Sequence, residues 1–237
     1  MSSLSTLRFF TTPAHPCSYL EDRQATTLFV DPRARITPEL YSELSRHGFR
    51  RSGEFIYRPH CQGCDACIPA RIAVDEFQPR RRHKRTIRAN TDLTVEQEPA
   101  AFSLEHYRLY ARYIETRHAD GDMYPPSEEQ FCSFLMSDWS DTRFYSFRLD
   151  GRLVAVAVAD RLRDGLSAVY TYFDPDLDQR SLGNRAILWQ IDECRRLGLP
   201  YLYLGYWVPP CQKMAYKRDF QPFEILIDGV WQRYQPE

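Results

Sequence analysis

Apolar residues recur at two different intervals along this chain, and the interval changes near residue 100. Before that point short, β-rich runs dominate: Ala25 to Val30, closed by Asp31-Pro32, then Phe49 to Tyr57, Arg71 to Val74 and Leu93 to Val95 each predict a strand. One helix interrupts them. Thr37 suits an N-cap and Pro38 the first helical position, Leu40, Tyr41 and Leu44 share one face, and Gly48 is a stop, which predicts a helix over residues 38–47. Around Glu96 to Ala101 the character turns helical. Tyr107, Tyr110, Ala111 and Ile114 follow the i, i+3, i+4, i+7 stripe, and Ser127-Glu128-Glu129-Gln130 forms a capping box ahead of Phe131, Phe134 and Leu135. Two helices are expected between residues 104 and 137.

The pattern then reverts to strands. Phe144 to Leu149, Leu153 to Leu162 and Leu166 to Phe173 are separated by Asp150-Gly151 and Asp164-Gly165, hairpin-type turns that predict an antiparallel meander. Ser181-Leu182-Gly183-Asn184 opens a helix with Ile187, Ile191 and Cys194 inward and Gly198 as its stop. Pro200 to Val208 is an apolar strand, Cys211 to Lys217 starts a short helix, and Glu224 to Ile227 with Trp231 to Tyr234 close the chain as strands. These elements predict an α+β protein of two domains, a small cysteine-bearing α+β domain over 1–98 and a domain over 99–237 built on a mixed, mainly antiparallel sheet flanked by helices. The element order of the second domain resembles an acyltransferase of the GNAT type, whose splayed central strands admit the acyl donor. The turn Gln179 to Asn184 falls where that fold binds phosphates at a helix N-terminus, without the usual second small residue.

Composition narrows the class. With 43% hydrophobic residues and 33 of Phe, Tyr and Trp among 237, the chain buries a core rather than staying disordered. A net charge of −1 leaves any polyanion site to a local patch, and residues 71–88 supply one: Arg71, Arg80, Arg81, Arg82, Lys84, Arg85 and Arg88 against Asp75 and Glu76. No leader and no run near the roughly 18 apolar residues of a membrane span is visible, so a cytoplasmic protein without membrane contact is expected. Seven cysteines, an odd number, fit a reducing compartment better than a disulfide framework. Three of them, Cys61, Cys64 and Cys67, stand at C-x2-C-x2-C spacing.

Several segments resemble one family. Cys17-Ser18-Tyr19, Gly48-Phe49-Arg50-Arg51-Ser52-Gly53, Cys64-x-x-Cys67-Ile68-Pro69-Ala70-Arg71 and Pro210-Cys211-Gln212-Lys213-Met214-Ala215-Tyr216-Lys217, followed by Pro222 and Glu224, are similar to the bacterial aminoacyl-tRNA–protein transferases, relatives of the eukaryotic arginyltransferases. The resemblance covers nearly the whole chain. It implies a cysteine-rich N-terminal domain, a GNAT-like C-terminal domain, and transfer of an amino acid from its tRNA to an N-terminal Asp or Glu, marking the acceptor for degradation by the N-end rule. The compact chain and the C-x2-C-x2-C spacing favour leucine and Leu-tRNA, with arginyl transfer from Arg-tRNA as the alternative. Two other readings stand beside it: an acetyl-CoA-dependent N-acetyltransferase, and a non-catalytic RNA-binding metal ribbon that leaves the C-terminal Lys-Met-Ala-Tyr-Lys stretch without a role.

Candidate sites follow from the chemistry. Cys61, Cys64 and Cys67 with Cys17, or with His60 as the alternative fourth ligand, are expected either to hold zinc or an iron–sulfur cluster or to be buried thiols in a tight turn. Transfer itself requires no cofactor. The run Arg80, Arg81, Arg82, Lys84, Arg85 and Arg88 reads as a contact for the tRNA acceptor arm, as a clamp for the acidic acceptor side chain, or as a solvated charged loop. Attack of an α-amine on an ester needs a neutral amine, and with a reference pKa of about 7.7 to 8.0 much of it is neutral already, so positioning and oxyanion stabilisation carry the reaction. Lys213 and Lys217 are expected to bind terminal phosphates or ribose, Tyr216 to donate to the oxyanion or the leaving hydroxyl, and Trp207 to stack on the terminal adenine; the other reading makes Met214 and Tyr216 core residues. Cys132 and Cys194 are expected in the core, and Asp160 as a carbonyl-side base or, the favoured reading, a strand-end charge.

Overall fold

The computed structural model of the protein describes residues 4–235. Its first part is a four-stranded antiparallel sheet in the order β1-β4-β6-β5, made by β1 (Phe9–Thr11), β4 (Thr27–Val30), β5 (Arg50–Ser52) and β6 (Phe55–Pro59). Two short strands, β2 (His15–Pro16) and β3 (Gln24–Ala25), pair separately. Helix α1 (Pro38–Arg46) begins as its sequence requires: Thr37 is extended and its hydroxyl accepts from the Leu40 N–H at 3.2 Å. Leu40, Tyr41 and Leu44 of α1 bury against Val30, Phe49 and Ile56.

The second sheet has eight strands in the order β14-β13-β7-β12-β11-β10-β9-β8. These are β7 (Ile68–Ala73), β8 (Leu93–Pro99), β9 (Thr142–Leu149), β10 (Arg152–Arg161), β11 (Gly165–Phe173), β12 (Tyr201–Trp207), β13 (Phe223–Ile227) and β14 (Val230–Arg233). Among these neighbours, β11 and β12 alone run parallel. Two of the eight strands, β7 and β8, come from residues before 100, so the line expected at 98/99 does not coincide with an edge of this sheet.

Helices cover both faces. On one, α5 (Leu182–Arg196) packs Ile187, Leu188, Ile191 and Cys194 on Ile72, Leu166, Leu202 and Leu204. On the other, α3 (Leu104–Arg117) and α4 (Glu128–Leu135) pack Leu109, Tyr110, Ile114, Phe131 and Leu135 on Phe144, Val156, Val158 and Tyr172. Strand β10 explains the arrangement. Its valines Val156 and Val158 face α3 and α4, whereas Ala155, Ala157 and Ala159 share a cluster with Leu182 and Ala186 of α5. Successive side chains point to opposite faces, and small residues on one face let a helix approach closely.

Three expectations change. Phe49 to Tyr57 is not one strand but the hairpin β5–β6, because Gly53 turns the chain at φ +56° where an added Cβ would fall 1.8 Å from the Ser133 carbonyl. The basic run is not an open loop: it forms α2 (Arg81–Arg88). The segment after Cys211 is a 3-10 helix, Gln212–Asp219.

Candidate active site

Strands β11 and β12 pair only over Gly165–Ser167 and Tyr201–Tyr203, and past that point they part. On its other side β12 slips register against β7 between Tyr203 and Gly205, where Gly205 takes φ +72°. Divergence frees backbone carbonyls that must find other donors. Two cations supply them. Arg50, from β5 of the small sheet, donates from Nη2 to the carbonyls of Ala168 at 2.7 Å and Val169 at 3.2 Å on β11. Lys217, from the 3-10 helix, donates from Nζ to Leu204 at 2.9 Å and Tyr206 at 2.5 Å on β12. Gly205 is required where Arg50 crosses, since an added Cβ would lie 1.8 Å from Nη1.

Lys217 is only 5% exposed, and its amine is pulled down to about 7, first by burial and then by the nearby Arg50 charge, with Cys211 opposing. Burial and the neighbouring guanidinium thus make charge on the Lys217 amine costly to hold. Around it stand phenols: Tyr206 donates to the Gly48 carbonyl at 2.8 Å, and Tyr19 is pushed up to about 12 by burial first and by Tyr57 next.

The outward side of the same 3-10 helix carries the other expected residues. Tyr216 is 40% exposed, and Lys213 pairs with Asp120 at 3.4 Å in the turn after α3. His118 lies beside them, its Nε2 3.2 Å from the Tyr113 hydroxyl and its pKa lowered by burial and then by Lys213. The helix thus splits its functional residues, with Lys217 inward and Lys213 and Tyr216 at the rim.

Helix α2 lies against the end of this segment. Its Arg81, Arg82, Lys84, Arg85 and Arg88 line an open groove of about 830 Å³, and Arg80 is the exposed residue at its N-cap. His83, its one fully buried residue, turns inward, stacked on Phe220 and against Phe77, and its imidazole is lowered to about 4 by burial and then by Arg82 and Arg80. Arg82 reaches Asp219 at 2.6 Å.

Other expectations separate from this site. Trp207 is 4% exposed and packs edge-on with Phe223 and Tyr234, so the ring belongs to the core and has no face for an adenine. Arg180 is committed to Asp92 through two hydrogen bonds of 2.8 and 2.9 Å. Asp160 is fully buried and holds Arg51 at 2.7 Å.

At the thiol run, Cys61 and Cys64 form a single β-bridge, and the Cys61 thiol donates to the Thr26 carbonyl at 3.6 Å. Cys67 is pushed up to about 12 by burial, then by Cys17, Cys61, Cys64 and Cys211 in that order. Four other thiols thus lie near enough to act on Cys67, residues suited in kind to a soft metal. As the side chains stand, no three His, Cys, Asp or Glu among the described residues are grouped to hold an ion.

Spacing alone did not single out Arg50, Tyr57, His118 or Cys211. Arg50 and Cys211 do lie in the Gly-Phe-Arg-Arg-Ser-Gly and Pro-Cys-Gln-Lys segments that carry the family resemblance.

A strongly basic helix beside a split sheet that holds Arg50 and Lys217 suits a group-transfer protein that handles a polyanion. The chain belongs to the arginine-tRNA–protein transferase family, whose C-terminal pattern matches residues 105–227 and whose N-terminal pattern matches residues 15–85. It is 68% identical to the aspartate/glutamate leucyltransferase of Alcanivorax borkumensis over 98% of this chain and 96% of that one. It is 59% identical to the protein of the same name from Marinobacter nauticus over 98% of each. Among solved structures, L-PGS from Bacillus licheniformis aligns at a TM-score of 0.47 and 11% identity over 86% of this chain and 69% of that one, too loosely to argue from.

Proposed function

We propose that this protein transfers leucine from Leu-tRNA to the N-terminal Asp or Glu of acceptor proteins, creating a degradation signal. The gap between β11 and β12, lined by Arg50 and Lys217 and bordered by Tyr216 and Lys213, is the observation that carries this reading, beside 68% identity to a leucyltransferase. Such a gap is what a GNAT-like domain uses to admit an acyl donor.

The acceptor's neutral α-amine attacks the aminoacyl ester carbon. The new N–C bond forms as the ester C–O bond to the ribose breaks, and the proton lost by nitrogen ends on the departing ribose hydroxyl. Tyr216 at the rim is suited to donate to the oxyanion or to that hydroxyl. Lys213 offers its ammonium to the terminal phosphate once it leaves Asp120. Arg80 to Arg88 hold the acceptor arm by its phosphates and fix it against the segment that bears Tyr216. A free charged tRNA as donor implies a cytoplasmic reaction, and no helix among the described residues is long and apolar enough to cross a membrane.

A zinc ion or iron–sulfur cluster at Cys17, Cys61, Cys64 and Cys67 would cross-link the start of β7 to the N-terminal segment, a structural service. The transfer needs no cofactor.

One assay tests the reading: a peptide beginning with Asp or Glu is mixed with Leu-tRNA, Arg-tRNA or acetyl-CoA and its mass is measured. A leucine-sized gain with Leu-tRNA is expected. No gain from either charged tRNA defeats the reading, and a gain from Arg-tRNA alone replaces leucine by arginine.

A further inference from the structure

Among the described residues the two buried arginines have a carboxylate partner, Asp160 for Arg51 and Glu224 for Arg71, whereas Arg50 is half-buried. Arg50 and Lys217 share the gap, yet neither forms an ion pair with any described residue. Among the described residues their hydrogen-bond partners are four carbonyls, which bring no countercharge. Arg50 uses only Nη2 for this, so Nε and both hydrogens of Nη1 stay uncommitted among the described residues, as does one hydrogen of Lys217 Nζ. A guanidinium and a buried amine whose charge is disfavoured without a counterion form a site that an anion would complete.

The geometry points to the acidic side chain of the acceptor's N-terminal residue as that anion, received by a free N–H donor of Arg50 and by Lys217. This rests on the proposed transfer to Asp and Glu termini and names the residues that select them.

Two observations favour a carboxylate over a tRNA phosphate. The first is the direction of entry. Leu202 and Leu204 of β12 pack with α5, and Tyr203 packs with α1, so the small sheet that carries Arg50 lies on the opposite face from α5 and its neighbour α2. Phosphates already have α2 on their own face. The second is the donor set: a free Arg50 N–H and the Lys217 amine can each take one oxygen of a carboxylate, and an Asn or Gln in its place would set an amide –NH2 against one of these donors. The depressed amine of Lys217 agrees with a cation whose partner is supplied only on binding.

The test measures kcat/KM with Leu-tRNA for peptides beginning with Asp, Glu, Asn and Gln, in wild type, Arg50→Lys and Lys217→Met. Thermal melting and tRNA Kd are recorded for each variant. The Asp-over-Asn ratio is expected to fall about 100-fold in the variants, as loss of a charge-assisted bond in a specificity site implies, with tRNA Kd within about twofold of wild type. A folded variant that keeps the wild-type ratio overturns the proposal. So does a variant that keeps the ratio while losing tRNA affinity, which makes the gap a phosphate site. Should both variants fail to fold, wild type decides by calorimetry in buffers of different ionisation enthalpy near pH 7.5: an Asp peptide should take up a proton at Lys217, beside Arg50 and Cys211, and an Asn peptide should not. Equal uptake overturns the proposal. Wild type that transfers leucine to no acidic peptide defeats the leucyltransferase reading itself, a different result from an unchanged ratio.

Discussion

His83 lies flat on Phe220, ring centroids 4.9 Å apart and planes 10° from parallel. One imidazole thereby moors a helix of like charges to the residue that ends the Lys213–Lys217 segment. Without it α2 has only Ile87 partly buried against the core, and a row of cations that favour solvent.

The mooring makes the protein acid-sensitive. The imidazole is lowered from 6.5 to about 4, so the unfolded chain takes up a proton first, and stability is fully present above pH 6.5 and is lost as pH falls toward 4. His83→Phe should remove that dependence, and His83→Ala should cost about 2 kcal/mol at pH 7.5 in urea unfolding. A variant as acid-sensitive as wild type over pH 4 to 6.5 excludes His83 as the cause.

The outward residues of α2 should set the salt dependence of tRNA binding. Replacing Arg81, Lys84 and Arg85 by Gln should reduce the slope of log K against log salt by about 0.7 to 0.9 for each phosphate no longer neutralised. Filter binding at several salt concentrations reads this, and an unchanged slope would move the acceptor arm elsewhere.

Tyr216→Phe removes a rim hydroxyl with the ring intact. Single-turnover transfer should slow about 10- to 100-fold with melting temperature and tRNA affinity preserved. Lys213→Ala should act mainly on KM for the charged tRNA. Wild-type rates in both would take them out of the site.

Arg51 and Asp160 form the fully buried pair beneath the gap, with Tyr41 and Thr142 each donating to Asp160 at 2.7 Å. Arg51 also donates to the Leu135 carbonyl at 3.2 Å in the last turn of α4. Arg51→Met alone strands the carboxylate and should cost about 3 to 5 kcal/mol, whereas Arg51→Met with Asp160→Leu should recover much of it. Denaturant unfolding of the three proteins measures the difference.

Four cysteines can be judged by composition rather than by activity. Protein prepared without oxygen should carry zinc, or iron with acid-labile sulfide, near one site per chain, and Cys61→Ser with Cys64→Ser should lose it along with several degrees of melting temperature. A metal-free preparation that melts at the same temperature as the loaded one removes the ligand role.

What the sequence made legible was mostly local. The meander around Asp150-Gly151 and Asp164-Gly165, helix α1 with its Thr37 cap, and α5 with its Ile187, Ile191 and Cys194 stripe all lie in the structure as the pattern predicts. Helix α2 was not readable, because only His83 and Ile87, one turn apart, face inward and no apolar stripe marks them. Nor was Arg50, whose partners Ala168 and Val169 follow it by 118 and 119 residues. Lys217 was legible through resemblance, and its burial reverses the solvent-facing role its charge suggests. Trp207 misled because an aromatic beside a site offers a stacking surface only when one face is open.

Strand β7 follows directly on Cys67, yet its two neighbours in the sheet, β12 and β13, begin at Tyr201 and Phe223. A ribosome therefore delivers this interior strand of the sheet long before either flank exists, and its two bare edges wait through more than half of synthesis. A product terminated before Phe223 keeps one of those edges open in the heart of the molecule, ready to pair with another chain. Incomplete copies of this enzyme thus carry their own mark for aggregation or proteolysis.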